Sequence, residues 1–177
     1  LPENYYIICN VEFANVTPQG QVQYLEYDCI VVTPHALYNI ENKYWGGRLE
    51  GDDNAWYLNE SEKHNPLKTV RFKTAVLVGK LKANNPDWAR AWMASLLTLS
   101  NPKQNKKGLW GDCEKATYLL DNKLIDFICN PKAVGKQQDN IADIYLQIKD
   151  FIAGISSPVE PKQRKEVIGY EILELME

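Results

Sequence analysis

Residues 26–43, EYDCIVVTPHALYNIENK, contain two apolar runs rich in β-branched and aromatic side chains, and Pro34-His35 separates them. Two such runs on either side of a turn signal predict a β-hairpin with strands over Gln23–Thr33 and Ala36–Trp45. With a two-residue loop, Thr33 pairs with Ala36, and a four-residue loop keeps the same register. An odd loop length shifts the register by one residue.

Charged side chains alternate along both strands of this hairpin. Residues two apart in a strand share a face, so Glu26 lies with Asp28, and Glu41 lies with Lys43. In the register above Asp28 faces Glu41, and Glu26 faces Lys43. We therefore expect one face of the sheet to carry facing carboxylates with a lysine beside them.

Facing carboxylates repel each other unless a positive charge lies between them. Carboxylate oxygens with retained waters suit Mg²⁺ or Mn²⁺, and such an ion activates water and stabilises charge on a phosphate. Lys43 would orient that water or offset charge on the phosphate. A solvent-facing strand with cross-strand ion pairs explains the same spacing, so both interpretations stay open here.

The remaining pattern predicts a mixed sheet with helices, that is, an α/β or α+β domain. Asn65-Pro66 is a helix start signal, and the helix should end near residues 84–86. The other predicted elements are strands over Tyr5–Cys9, Ala55–Leu58 and Trp92–Leu99, helices over Lys123–Cys129 and Asn140–Ala153, a linker over 155–166, and a strand over Val167–Leu175. We expect a domain over residues 1–154 and a linker and tail over residues 155–177, which could lead to a further module.

The net charge of −3 hides an uneven distribution along the chain. Residues 1–42 hold five acids and no Lys or Arg, whereas residues 43–107 hold twelve Lys or Arg and six acids. On a helical wheel Lys68, Arg71 and Lys82 lie on one flank of the apolar stripe, and Lys73 and Lys80 lie on the other. This basic block can bind phosphate locally, or it can be an unevenly charged solvated surface.

Composition excludes several classes of protein. Two histidines cannot form a three-histidine metal site, and the four scattered cysteines lack the paired spacing of a zinc ribbon. No run approaches 18 apolar residues, so we expect no membrane span. The cysteines lie mostly in apolar runs, which predicts buried free thiols and favours a cytoplasmic protein.

The hairpin resembles the NERD (nuclease-related) domain, which shows an E-x-D strand, a turn, then an apolar residue, E-x-K, an aromatic residue and Gly. Here these are residues 26–28 and then Ile40 to Gly46, and Asn65-Pro66 matches the pair that opens a helix in the family. The resemblance implies a restriction-endonuclease-like fold of the PD-(D/E)xK superfamily, a mixed sheet flanked by helices. Residues 5 to about 154 can be laid along it.

Carried over from the family, Asp28 and Glu41 are metal ligands, Lys43 is the catalytic lysine, and Glu26 is a secondary acid. The family's helix with a Gly-Glu pair before the first strand is not matched, and Leu67 to Val70 stands where the family often has Gln. The resemblance implies a Mg²⁺- or Mn²⁺-dependent nuclease acting on DNA, or on RNA.

The basic side chains have a place in this interpretation. Arg48, Lys68, Arg71 and Lys82 would hold the nucleic-acid backbone near the carboxylates. NERD domains are often fused to helicases or protein kinases, some of them in bacterial anti-phage defence. The rival interpretation is a non-catalytic module that binds nucleic acid or protein while a fused kinase or helicase does the chemistry.

Overall fold

A computed structural model describes residues 1–52, 54–101, 117–120, 124–130 and 141–159. Its main sheet has six strands, which are β1 (Tyr6–Val16), β2 (Val22–Val32), β3 (Leu37–Lys43), β7 (Met93–Leu99), β8 (Thr117–Leu120) and β9 (Ser157–Pro158). Their order across the sheet is β8-β7-β3-β2-β1-β9. β3, β7 and β8 run parallel to one another, while the pairs that involve β1 and β2 are antiparallel. The predicted mixed sheet is confirmed.

A second, smaller sheet follows the hairpin and contains three short antiparallel strands, β4 (Leu49–Gly51), β5 (Trp56–Leu58) and β6 (Ser61–Lys63). Gly47 precedes it with a φ of 109°, a value that glycine adopts without steric cost. Trp56 is fully buried, and its ring packs edge-on against Trp45 with centroids 6.3 Å apart. Trp45 therefore packs beneath this sheet.

The long helix α1 (Pro66–Asn84) begins as its sequence predicts. The Asn65 side chain accepts hydrogen bonds from the backbone N–H groups of Leu67 (2.9 Å) and Lys68 (3.3 Å), and proline occupies the first turn. Its buried face carries Pro66, Leu67, Val70, Thr74, Leu77 and Leu81. This face packs on β3 and β7. The helix connects these two parallel strands, as a crossover helix does.

Apolar side chains cover both faces of the main sheet. On one face, α1, a 3₁₀ helix (Pro86–Arg90) and α3 (Tyr145–Ile155) pack over β1, β2 and β3 through Leu77, Trp88 and Ile148. On the other face, α2 (Leu124–Cys129) contributes Ile128 to a cluster with Tyr38 and Leu96. We call the first face the helix-side face, because it carries α1 and α3.

The first two strands share an interruption. Their pairing passes from Cys9–Cys29 directly to Val11–Tyr27, skipping Asn10 and Asp28, and Asn10 has a φ of 53°. Such local irregularities bend a strand and re-aim its side chains.

The interruption changes which residues of β2 face the helix-side core. Ile30 and Val32 belong to that core, yet so do Tyr27 and the partly buried Leu25, which have the opposite parity. The face of the sheet to which a residue belongs therefore switches at Asp28.

Two cysteines lie beside this interruption, where β1 and β2 place Cys9 opposite Cys29. Cys9 is exposed and Cys29 is half-buried, and Cys129 at the end of α2 is exposed, so the prediction of buried thiols is wrong for Cys9 and Cys129. A hydrogen bond from the Cys29 thiol lowers the pKa of Cys9 to about 7. The cysteine at position 113 lies outside the described residues.

The C-terminal part differs from its prediction in two places. The helix predicted from Asn140 begins at Tyr145, and the preceding Ile141 donates its backbone N–H to the hairpin turn at the carbonyl of Pro34 (3.1 Å). Ser157 and Pro158, predicted as linker, pair with β1 as β9. The strand predicted over Val167–Leu175 and the rest of the tail lie outside the described residues. None of the described helices combines the length and the apolar character needed to cross a membrane.

Candidate functional site

The hairpin register brings together the carboxylates that the sequence singles out. The turn closes with Thr33 donating its backbone N–H to Ala36 O (3.0 Å), and pairing runs from Val32–Leu37 to Cys29–Ile40. Asp28 lies next to Cys29 in β2, and its Oδ2 accepts a hydrogen bond from the backbone N–H of Asn42 (2.8 Å). Asp28 therefore lies beside the end of β3 that carries Glu41 and Lys43, as predicted.

Glu41 is a buried carboxylate with a cation at each oxygen. Its Oε1 lies 2.5 Å from Lys43 Nζ, and its Oε2 lies 2.6 Å from Lys73 Nζ. The side chains of Glu41, Lys73 and Lys43 are 4%, 12% and 28% exposed. Because water is largely excluded, these pairs are screened much less than surface pairs. We call Asp28, Glu41, Lys43 and Lys73 the carboxylate cluster.

Asp28 has a less balanced environment than Glu41. Burial raises the pKa of its carboxyl, and the nearby Glu41 carboxylate raises it further. The Asn42 N–H, Lys73 and Lys43 oppose this shift without cancelling it. Ionised Asp28 is therefore the member of the cluster that an additional cation would stabilise most.

Lys73 has a role in the carboxylate cluster that the sequence pattern did not predict. It lies on α1 at the border of the apolar stripe, where a lysine stem can follow apolar surface while its ammonium reaches a polar partner. Tyr27 supports this part of the helix, because its hydroxyl donates to Lys73 O (2.7 Å) and its ring centroid lies 5.9 Å from Lys73 Nζ. The sequence signal that could have identified Lys73 is its position one residue before the buried Thr74, on the flank of α1 that faces the end of β3.

The family model for the nuclease-related domain, NERD, matches residues 1–100 of the chain. That span contains the hairpin, the small sheet, α1 and β7. The chain belongs to the NERD family. The searches of curated proteins and of solved structures each found no match.

Glu26 does not share the helix-side face of this NERD domain with Asp28. It lies between Leu25 and Tyr27, which both contact the helix-side core, so strand alternation directs it to the opposite face. Its partner across β1–β2 is Glu12. The predicted common face of Glu26 and Asp28 is wrong, because the interruption at Asp28 reverses the alternation.

The predicted nucleic-acid contacts lie away from the carboxylate cluster. Lys68, Arg71 and Lys82 occupy the flank of α1 across the buried stripe from Lys73, since successive helical residues are about 100° apart. Lys68 Nζ donates to Asn54 O at 3.2 Å, and Arg48 is exposed and paired with Glu50. We call Lys68, Arg71 and Lys82 the basic flank. Backbone contacts by these residues stay a prediction.

The donor set of the NERD domain fits a small divalent cation. Mg²⁺ is commonly held by one or two carboxylates, with waters and substrate phosphate as its other ligands. Asp28 and Glu41 supply such a pair, and burial together with the neighbouring Glu41 carboxylate raises the pKa of Asp28. Among the residues that the structure describes, no group of three or more His, Cys, Asp or Glu is placed to hold a metal.

Proposed function

We propose that this NERD domain is a nuclease that hydrolyses phosphodiester bonds of DNA, or of RNA, with Mg²⁺ or Mn²⁺. The observation that carries the proposal is the convergence of Asp28, Glu41 and Lys43 at one end of β3. Membership of a nuclease-related family supports the same reaction class. The metal ion, when bound, would supply an activated water and stabilise charge on the phosphate.

Each side chain has a distinct part in this proposal. Asp28 and Glu41 would hold the ion, and they are kept in place by the Asn42 N–H and by Lys73. Lys43, the more exposed of the two lysines, would offset the negative charge that develops on the phosphate. Lys73 is a positioning residue, since it binds the second oxygen of Glu41 and reaches the site from α1.

A second function is favoured by one feature of the same cluster. Both oxygens of Glu41 already have a lysine partner, so the buried charge is balanced by protein side chains. A net charge of −3 also gives a weaker overall attraction to polyanions than most nucleic-acid enzymes have. In this alternative the domain binds nucleic acid or a partner protein, and a fused kinase or helicase is the enzyme.

A cleavage assay separates the two functions. The 177-residue chain and its Lys43→Ala variant are incubated with plasmid and with single-stranded DNA and RNA, in Mn²⁺, in Mg²⁺ and in EDTA. The nuclease proposal expects cleavage in metal only, and about 100-fold slower cleavage by the variant. Lys80→Ala, which changes a lysine on the same helix flank as Lys73, is the matched control and should cleave like the wild type.

Two other outcomes decide against the proposed nuclease. Cleavage that survives EDTA or the Lys43 substitution would contradict the metal-dependent mechanism. Salt-sensitive DNA binding without any cleavage would favour the binding module.

The wider setting is part of the proposal. Family resemblance supports a role in bacterial anti-phage defence and fusion to a kinase or helicase, with DNA as the favoured nucleic acid. Free cysteines support a cytoplasmic location. The sequence of the full-length gene product would test for a fused kinase or helicase. Microscopy of a fluorescently tagged protein would test the cytoplasmic location.

A further inference from the structure

Cys9 and Cys29 form a directly opposed pair in the antiparallel β1–β2 ladder. Opposed residues in such a ladder have Cα atoms about 4.5 Å or about 5.5 Å apart, depending on the hydrogen-bonding class of the pair. Both values fall within the range of about 4.4–6.8 Å that a disulfide requires. Directly opposed residues of a ladder project from the same face of the sheet, so the two thiols lie on one side of the β1–β2 pair.

The two thiols differ in access to solvent. Cys9 is exposed, whereas Cys29 is half-buried. This is the arrangement of an attacking thiol with a resolving partner behind it. Neither cysteine belongs to the carboxylate cluster, although Cys29 is the residue that follows Asp28.

We propose that Cys9 and Cys29 form a reversible cross-strand disulfide, which is a redox modification site on the strand that carries Asp28. With glutathione disulfide as oxidant, the sulfur of Cys9 attacks one glutathione sulfur, and the S–S bond breaks to release one glutathione thiol. The sulfur of Cys29 then attacks the sulfur of Cys9 and releases the second glutathione thiol. The two protein thiols lose two protons and two electrons in total, and glutathione disulfide gains them to become two glutathione thiols.

The bond would fix β1 to β2 at the place where their pairing is interrupted. The next residues along, Asn10 and Asp28, are the two that the ladder skips. A closed loop of about 20 residues restricts the unfolded chain and should raise the melting temperature by roughly 5–10 °C. This inference does not depend on the proposed nuclease activity.

Peptide mapping tests the linkage directly. The full chain is reduced, freed of reductant, treated with glutathione disulfide, and digested without reduction for mass spectrometry. We expect a peptide joining Cys9 to Cys29, two hydrogens lighter than the two thiol peptides, and a melting temperature that falls back on reduction. The linked peptide should form equally in Cys129→Ser, whose thiol lies on α2, and should be absent from Cys9→Ser.

The opposite result is equally definite. If Cys9 ends as a stable glutathione adduct, stays free, or links to a different cysteine, the proposed disulfide is wrong. A linked peptide without any rise in melting temperature would contradict the claim that the disulfide fixes β1 to β2. These readouts use neither metal nor nucleic acid, so they succeed or fail separately from the nuclease assay.

Discussion

The carboxylate cluster and the basic flank both contain lysines of α1, yet their surroundings differ sharply. In the cluster, Lys73 is nearly buried and lies 2.6 Å from a carboxylate oxygen. On the basic flank, Lys68 and Lys82 are exposed to solvent. A lysine therefore contributes to stability on one side of α1, whereas a lysine on the other side acts mainly through a charge that salt screens.

The largest effect is expected at Glu41. Glu41→Gln keeps the side-chain volume but leaves Lys43 and Lys73 without their carboxylate, so the free energy of unfolding should fall by about 3 kcal/mol. Urea denaturation of the two proteins measures this. A loss below about 1 kcal/mol would show that the ion pairs of the cluster behave like surface pairs.

Lys73 is expected to come next. Lys73→Met retains the apolar stem and removes one of the two cations at Glu41, which should cost about 2 kcal/mol. Lys80→Met, on the same flank, is the matched control and should change stability by less than about 0.5 kcal/mol. Equal losses from both variants would mean that the contact with Glu41 contributes nothing specific.

The basic flank should affect binding rather than folding. Lys68→Ala/Lys82→Ala should weaken DNA binding about tenfold at low salt and reduce the slope of log K against log salt by about 2. Stability should stay within about 0.5 kcal/mol of wild type. Lys149→Ala, on α3, is the control for a general loss of charge. Unchanged affinity in the double variant would remove the basic flank from the proposed interface.

Asp28 should show the smallest effect and the opposite sign. Its folded-state pKa lies above the ordinary value of about 4, so the folded chain keeps this proton to a higher pH than the unfolded chain does. In the absence of metal, the free energy of unfolding therefore falls as the pH rises through the range between the unfolded-state and folded-state pKa values of Asp28. Asp28→Asn should remove this fall and stabilise the metal-free domain by about 1 kcal/mol at pH 7. Thermal melts from pH 3.5 to pH 7 would contradict this if the variant were less stable at neutral pH.

The regions with strong local signals could be predicted from sequence. Alternating apolar residues and the Pro34-His35 turn defined the hairpin and its register, and Asn65-Pro66 defined the start of α1. The common location of Asp28, Glu41 and Lys43 followed from that register, because pairing in a hairpin is set by its turn.

The missed features depend on contacts between distant segments. The interruption at Asn10 and Asp28 has no local turn signal, so simple alternation assigned Glu26 to the wrong face. Lys73 reaches Glu41 only because α1 packs across β3. β9 is two residues long and forms because the chain after α3 returns to β1.

Binding of Mn²⁺ to the 177-residue chain tests the central claim, a divalent-cation site at Asp28 and Glu41, most directly. Isothermal titration should show one site in the wild type and at least tenfold weaker binding in Asp28→Asn. Asp87→Asn, the same change at an exposed position, should bind like the wild type. Absence of binding in the wild type, or equal affinity in Asp28→Asn, would contradict the claim.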